Sequence, residues 1–100
     1  MRTFVLGQKL RSLRTDAGFG VREAADKLGK SPGYISRIEV RGELPSIELI
    51  HALALLYNAD EMDLLDLWKQ QQISEFQHDL EQKHSDAVRL FRKKGRSRNE

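Results

Sequence analysis

The sequence contains no cysteine, and its longest apolar runs fall far short of the roughly 20 residues a membrane-spanning helix needs. The first absence excludes disulfide scaffolds and cysteine-ligated zinc or iron–sulfur sites. The second excludes a transmembrane segment. The opening residues Met1-Arg2-Thr3-Phe4-Val5-Leu6 have no extended apolar stretch ending in a small-residue cleavage site, so no secretory leader is indicated and a cytoplasmic location is expected. Glycine-rich phosphate loops, nucleophile motifs and internal repeats are also missing. No metal or other cofactor is expected. His51, His78 and His84 do not share a metal-ligand spacing, and the last two, six residues apart, point to different sides of a helix. Asp60, Asp63 and Asp66 read as a helix-start cluster favoured by the macrodipole rather than as a catalytic acid pair. These absences leave no enzymatic constellation.

The 100 residues suffice for one domain, and the 39% apolar fraction closes a modest core. The net charge of +2 hides a division along the chain. Residues 1–42 carry nine Lys/Arg against four Asp/Glu, residues 43–72 one against six, and residues 73–100 seven against five. A basic block followed by an acidic one is the distribution that a phosphate backbone rewards on one part of a fold.

Helical periodicity dominates, and no segment alternates with the period of a half-buried strand. A first helix is expected from Phe4 to Asp16, with Leu6, Leu10, Leu13 and Ala17 on one face and Gly18 as a left-handed cap. A second runs from Val21 to Leu28. Ser31 as N-cap and Pro32 at the first helical position start a third, which ends near Arg41. Ser46 caps a fourth helix carrying Ile47, Ile50, Leu53, Ala54 and Tyr57. Asp60 caps a fifth with Met62, Leu65 and Trp68, and a sixth is expected from Ser74 to Lys94 with Phe76, Leu80, Ala87 and Phe91. The organisation is thus a body over 1–72, a C-terminal helix over 73–94 and a flexible basic tail over 95–100.

Gly18 to Gly42 is the informative stretch. Two short helices joined by a tight turn cross steeply, so a small residue is needed at their closest approach, supplied by Ala25. Gly29, four residues on, suits the sharp turn. Ile35 and Ile38 give the next helix an inward apolar face, completed by Ala24 and Leu28.

With these residues in place, the run Gly18-Phe19-Gly20-Val21-Arg22-Glu23-Ala24-Ala25-Asp26-Lys27-Leu28-Gly29, then Ser31-Pro32-Gly33-Tyr34-Ile35-Ser36-Arg37-Ile38-Glu39 and Leu44-Pro45-Ser46, resembles the lambda-repressor-like domain of the Xre family of bacterial and phage regulators. The resemblance covers about residues 6–66. It implies an all-α, five-helix DNA-binding domain whose third helix enters the major groove, usually in a dimer on two half-sites. It places base reading on Pro32, Gly33, Tyr34 and Arg37, with Arg37 able to donate twice to guanine. Backbone contacts fall to Arg22, Lys30, Ser31, Ser36 and Arg41. Arg14 and Glu39 occupy the positions of a structural ion pair. Three departures stand out: Gly20 replaces the usual Ser or Thr cap, Lys30 fills a turn position more often apolar, and the glycine after the third helix, Gly42, comes one residue late.

The expectation is a sequence-specific regulator of transcription, a dimeric repressor without enzymatic activity, bound to double-stranded DNA. The stripe of Phe76, Leu80 and Phe91 is a packing seam, either onto the domain or across a dimer. The alternative is an antitoxin or adaptor whose C-terminal helix holds a protein partner, such as a toxin or a protease, and whose DNA binding serves autoregulation.

Overall fold

The computed structural model describes the backbone of residues 4–98 and the side chains of residues 4–90. Five helices follow one another: α1 Val5–Asp16, α2 Val21–Leu28, α3 Pro32–Val40, α4 Ile47–Leu56 and α5 Glu61–Arg98. There is no strand among the described residues.

Local chemistry sets most of the boundaries. The Ser31 hydroxyl accepts from Tyr34 N–H at 3.1 Å and the Ser46 hydroxyl from Leu49 N–H at 3.1 Å, starting α3 and α4. The Asp60 carboxylate accepts from Met62 N–H at 2.8 Å at the entrance to α5. Gly20 gives α2 no side-chain cap. Gly18, Gly29 and Asn58 close α1, α2 and α4 with positive φ, and Phe19, Lys30 and Ala59 each donate a backbone bond to the carbonyl five residues back.

The first four helices and the start of α5 enclose one core. Leu6 and Leu10 from α1, Ala24 from α2, Ile38 from α3, Leu49, Ile50 and Leu53 from α4 and Leu64 from α5 are all buried in it. α1 and α3 meet at Gly7, where an added Cβ would stand 2.5 Å from the Glu39 carbonyl oxygen and 2.7 Å from that of Ile38. Only hydrogen fits between the two backbones. The sequence signals that requirement only by a glycine inside an otherwise apolar helical pattern.

The fifth and sixth helices expected from the sequence are one. α5 runs 38 residues without interruption, a length of about 57 Å. The polar stretch Lys69-Gln70-Gln71-Gln72, where a break was expected, consists of good helix formers with no proline or glycine to stop them. Residues 95–98, expected as tail, continue the same helix. Residues 99–100 lie outside the described residues. The first turns of α5 pack on the body through Leu64, with Leu65, Leu67 and Trp68 half-buried, whereas Met62, expected inside, is exposed. Ile47 in α4 is likewise exposed. Beyond the body the helix projects, giving extents of 68 × 25 × 24 Å and a radius of gyration of 19.1 Å, against about 13 Å for a compact chain of this length.

Candidate nucleic-acid interface

α2 and α3 cross at Ala24 and Ala25, both fully buried, against Ile35 and Ile38 at 2% and 3% exposure. The turn between them is held by Gly29 at φ 68°, a left-handed conformation that a side chain resists. Because the apolar residues of α3 point inward at positions 35 and 38, its other face is left outward. Gly33, Ser36, Arg37 and Arg41 are exposed there, and Pro32 and Tyr34 are half-buried. Gly33, Ser36, Arg37, Val40 and Arg41 line a shallow open groove along this face.

Every residue assigned from the sequence to base or backbone contact is exposed or half-buried. Arg22 is exposed in the first turn of α2, and Lys30 and Ser31 are exposed in the turn. Two cations stand over the Tyr34 ring: the Lys30 ammonium is 6.0 Å from its centroid and the Arg37 guanidinium 5.7 Å. Arg37 Nε donates to Glu43 Oε1 at 2.9 Å, and its Nη1 passes 3.6 Å from the place a Cβ would take on Gly33. The guanidinium therefore lies along the outward face of α3, from the loop that follows the helix back toward its first turn.

That loop is fixed from several sides. The late glycine, Gly42, adopts φ 74°, and its Cα faces the ring of Phe4 so closely that no Cβ fits. Gln71 Nε2 donates to the Gly42 carbonyl at 2.8 Å and Trp68 Nε1 to the Pro45 carbonyl at 2.7 Å, so α5 grips the loop at both ends. Glu43, Gln71 and Trp68 were not assigned to the site from the sequence. Their parts depend on where a distant helix meets the loop, which no local pattern encodes.

Behind the face, Arg14 of α1 donates to Glu39 of α3 through Nε at 2.8 Å and Nη2 at 3.0 Å, and through Nη1 to the Phe19 carbonyl at 2.8 Å. Both side chains are buried. The hydrogen bond and charge of Glu39 outweigh desolvation and hold the Arg14 guanidinium above its usual pKa. Phe76 and Leu80 are exposed on the projecting part of α5, together with Ile73 and Leu90, so they do not pack onto the body. The side chain of Phe91 lies outside the described residues. His51 pairs with Glu61 at 2.6 Å on the surface. No helix among the described residues is long and apolar enough to cross a membrane.

The helix-turn-helix domain family matches residues 5–68, the four helices of the body and the first turns of α5. The chain belongs to the helix-turn-helix family. It is a DNA-binding transcriptional regulator, in agreement with the resemblance read from residues 18–46. Two solved structures of the clp gene regulator ClgR from Corynebacterium glutamicum are similar to it. One is 34% identical with a TM-score of 0.57, covering 67% of this chain and 87% of that one. The other is 32% identical with a TM-score of 0.58, covering 79% and 85%. No curated protein matches the chain.

Proposed function

We propose that this helix-turn-helix protein is a sequence-specific repressor of the Xre type that reads double-stranded DNA with α3 in the major groove. The observation carrying this reading is the outward face of α3, where Arg37 is exposed, held at Nε by Glu43, and lines a shallow open groove. An arginine so placed donates from Nη1 and Nη2 to guanine O6 and N7. Tyr34, Gly33 and Pro32 form the rest of the reading surface, the last two by close approach rather than by side-chain bonds. Arg22, Lys30, Ser31, Ser36 and Arg41 surround it and serve the phosphates.

The working unit in this reading is a homodimer. Ile73, Phe76, Leu80, Lys83, Ala87 and Leu90 follow one another in steps of three and four, the spacing of a coiled-coil seam, and are exposed on the projecting stretch of α5. Parallel pairing along that seam sets two bodies side by side, as adjacent half-sites on DNA require. The same exposed seam is what a partner-binding antitoxin or adaptor would present, and sedimentation of the isolated protein separates the two. A self-associating chain favours the repressor; a monomer favours a toxin, a protease or another protein as the missing partner. The protein acts in the cytoplasm of a bacterium or on behalf of a phage, and the reading assigns it no catalysis.

Selection of bound duplexes from a random pool at physiological salt tests the reading. An enriched inverted repeat with half-sites about one helical turn apart is the expected product. A pool left unenriched contradicts it.

A further inference from the structure

Arg37 has an acidic neighbour on the surface where DNA phosphates would otherwise be welcome. The pair is half-exposed, with 48% of the Arg37 side chain and 40% of the Glu43 side chain accessible, so it adds little to stability. A carboxylate there also repels phosphate. Both facts ask for another account of Glu43.

The geometry points to Glu43 as a positioning residue for base reading, an assignment that rests on the reading of Arg37 above. The two residues are joined twice: Arg37 Nε donates to the Glu43 carboxylate at 2.9 Å, and Glu43 N–H donates to the Arg37 carbonyl at 3.2 Å. Glu43 cannot drift, because the carbonyls on either side of it, those of Gly42 and Pro45, are bonded by Gln71 and Trp68 of α5. A guanidinium taken by its Nε keeps the Nη1–Nη2 edge free, the edge with the spacing of guanine O6 and N7. The Tyr34 ring closes one side. Arg37 therefore enters the groove with its rotamers already chosen, and less freedom is lost on binding than a loose arginine would lose.

The carboxylate has a second effect. It offsets the charge of Arg37 toward any phosphate while leaving the hydrogen-bond fork intact for one base. Attraction to unrelated DNA falls, and the difference between right and wrong sequences grows.

The test uses the full chain and three duplexes: the one enriched from a random pool by the unaltered protein, the same duplex with the guanine that Arg37→Ala ceases to select replaced by adenine, and an unrelated duplex of equal length. Glu43→Ala is expected to lose roughly tenfold of the preference for that guanine and to bind the unrelated duplex more tightly, with a salt dependence steeper by about one counterion. Glu43→Gln keeps the oxygen acceptor without the charge, so it is expected to retain most of the guanine preference while gaining the same affinity for unrelated DNA. Unchanged helicity and melting of both variants accompany this result. A Glu43→Ala protein that keeps its guanine preference while Arg37→Ala loses it overturns the role of Glu43 alone. Equal losses on all three duplexes overturn it as well, in favour of a merely structural part. If Arg37→Ala itself keeps the preference, the base-reading assignment of Arg37 fails and that of Glu43 falls with it.

Discussion

Arg14 and Glu39, 25 positions apart, meet through two parallel hydrogen bonds that tie α1 to the inward side of α3. The third donor of Arg14, Nη1, reaches the Phe19 carbonyl between α1 and α2. One guanidinium thus links the helix proposed to read DNA to the two elements that set its angle.

Removal of either partner leaves a buried charge uncompensated, which costs about 3–5 kcal/mol. Glu39→Ala and Arg14→Ala are therefore expected to lower stability by that amount in urea denaturation, and Glu39→Gln, which keeps an acceptor, by less. A loss below about 1 kcal/mol for Glu39→Ala would show that the pair does not hold the helices together.

Tyr57 yields a prediction about pH. Its ring is buried against Phe19, with centroids 6.2 Å apart, and its hydroxyl has no hydrogen-bond partner among the described residues. Burial first, and then the negative charge of Glu39, push the phenol up to about 12, while Arg14 pulls the other way. The unfolded chain releases this proton near pH 10 and the folded protein only near 12, so the contribution of Tyr57 is whole below pH 10 and is lost as the pH climbs through that window. Alkaline titration followed by circular dichroism is expected to show stability falling by on the order of 2 kcal/mol between those values. Tyr57→Phe removes both the ionisation and the unbonded hydroxyl, and is expected to be neutral or stabilising at pH 7 and to unfold at higher pH than the unaltered protein. Earlier alkaline unfolding of Tyr57→Phe contradicts this account.

Association is predicted to reside in the projecting half of α5. Truncation after Gln72 retains Trp68 and Gln71 and is expected to give a folded monomer in sedimentation equilibrium. Leu80→Asp, on an exposed position, is expected to do the same in the full chain. A dimer that persists in both variants places the interface elsewhere.

The body of the fold was legible because local chemistry writes it down. Ser31, Pro32 and Ser46 mark helix starts, Gly18 and Gly29 mark ends, and Ala25, Ile35 and Ile38 name the crossing of α2 and α3. α5 was less so. Its continuity depends on a polar stretch that is as compatible with helix as with a linker, and its inward face is offset from the expected one, with Leu64 buried and Met62 outside. The loop after α3 was the least legible part. Gly42 signalled a turn, but the grip of Gln71 on that turn and the hold of Glu43 on Arg37 arise only when α5 returns across the body.

The central claim, that α3 reads base edges through Arg37, is tested most directly by selecting duplexes from one random pool with the unaltered protein and with Arg37→Ala in parallel. The account predicts that both recover the same inverted repeat, and that one guanine in each half-site, enriched by the unaltered protein, loses its enrichment with Arg37→Ala. Identical base preferences at every position would contradict it.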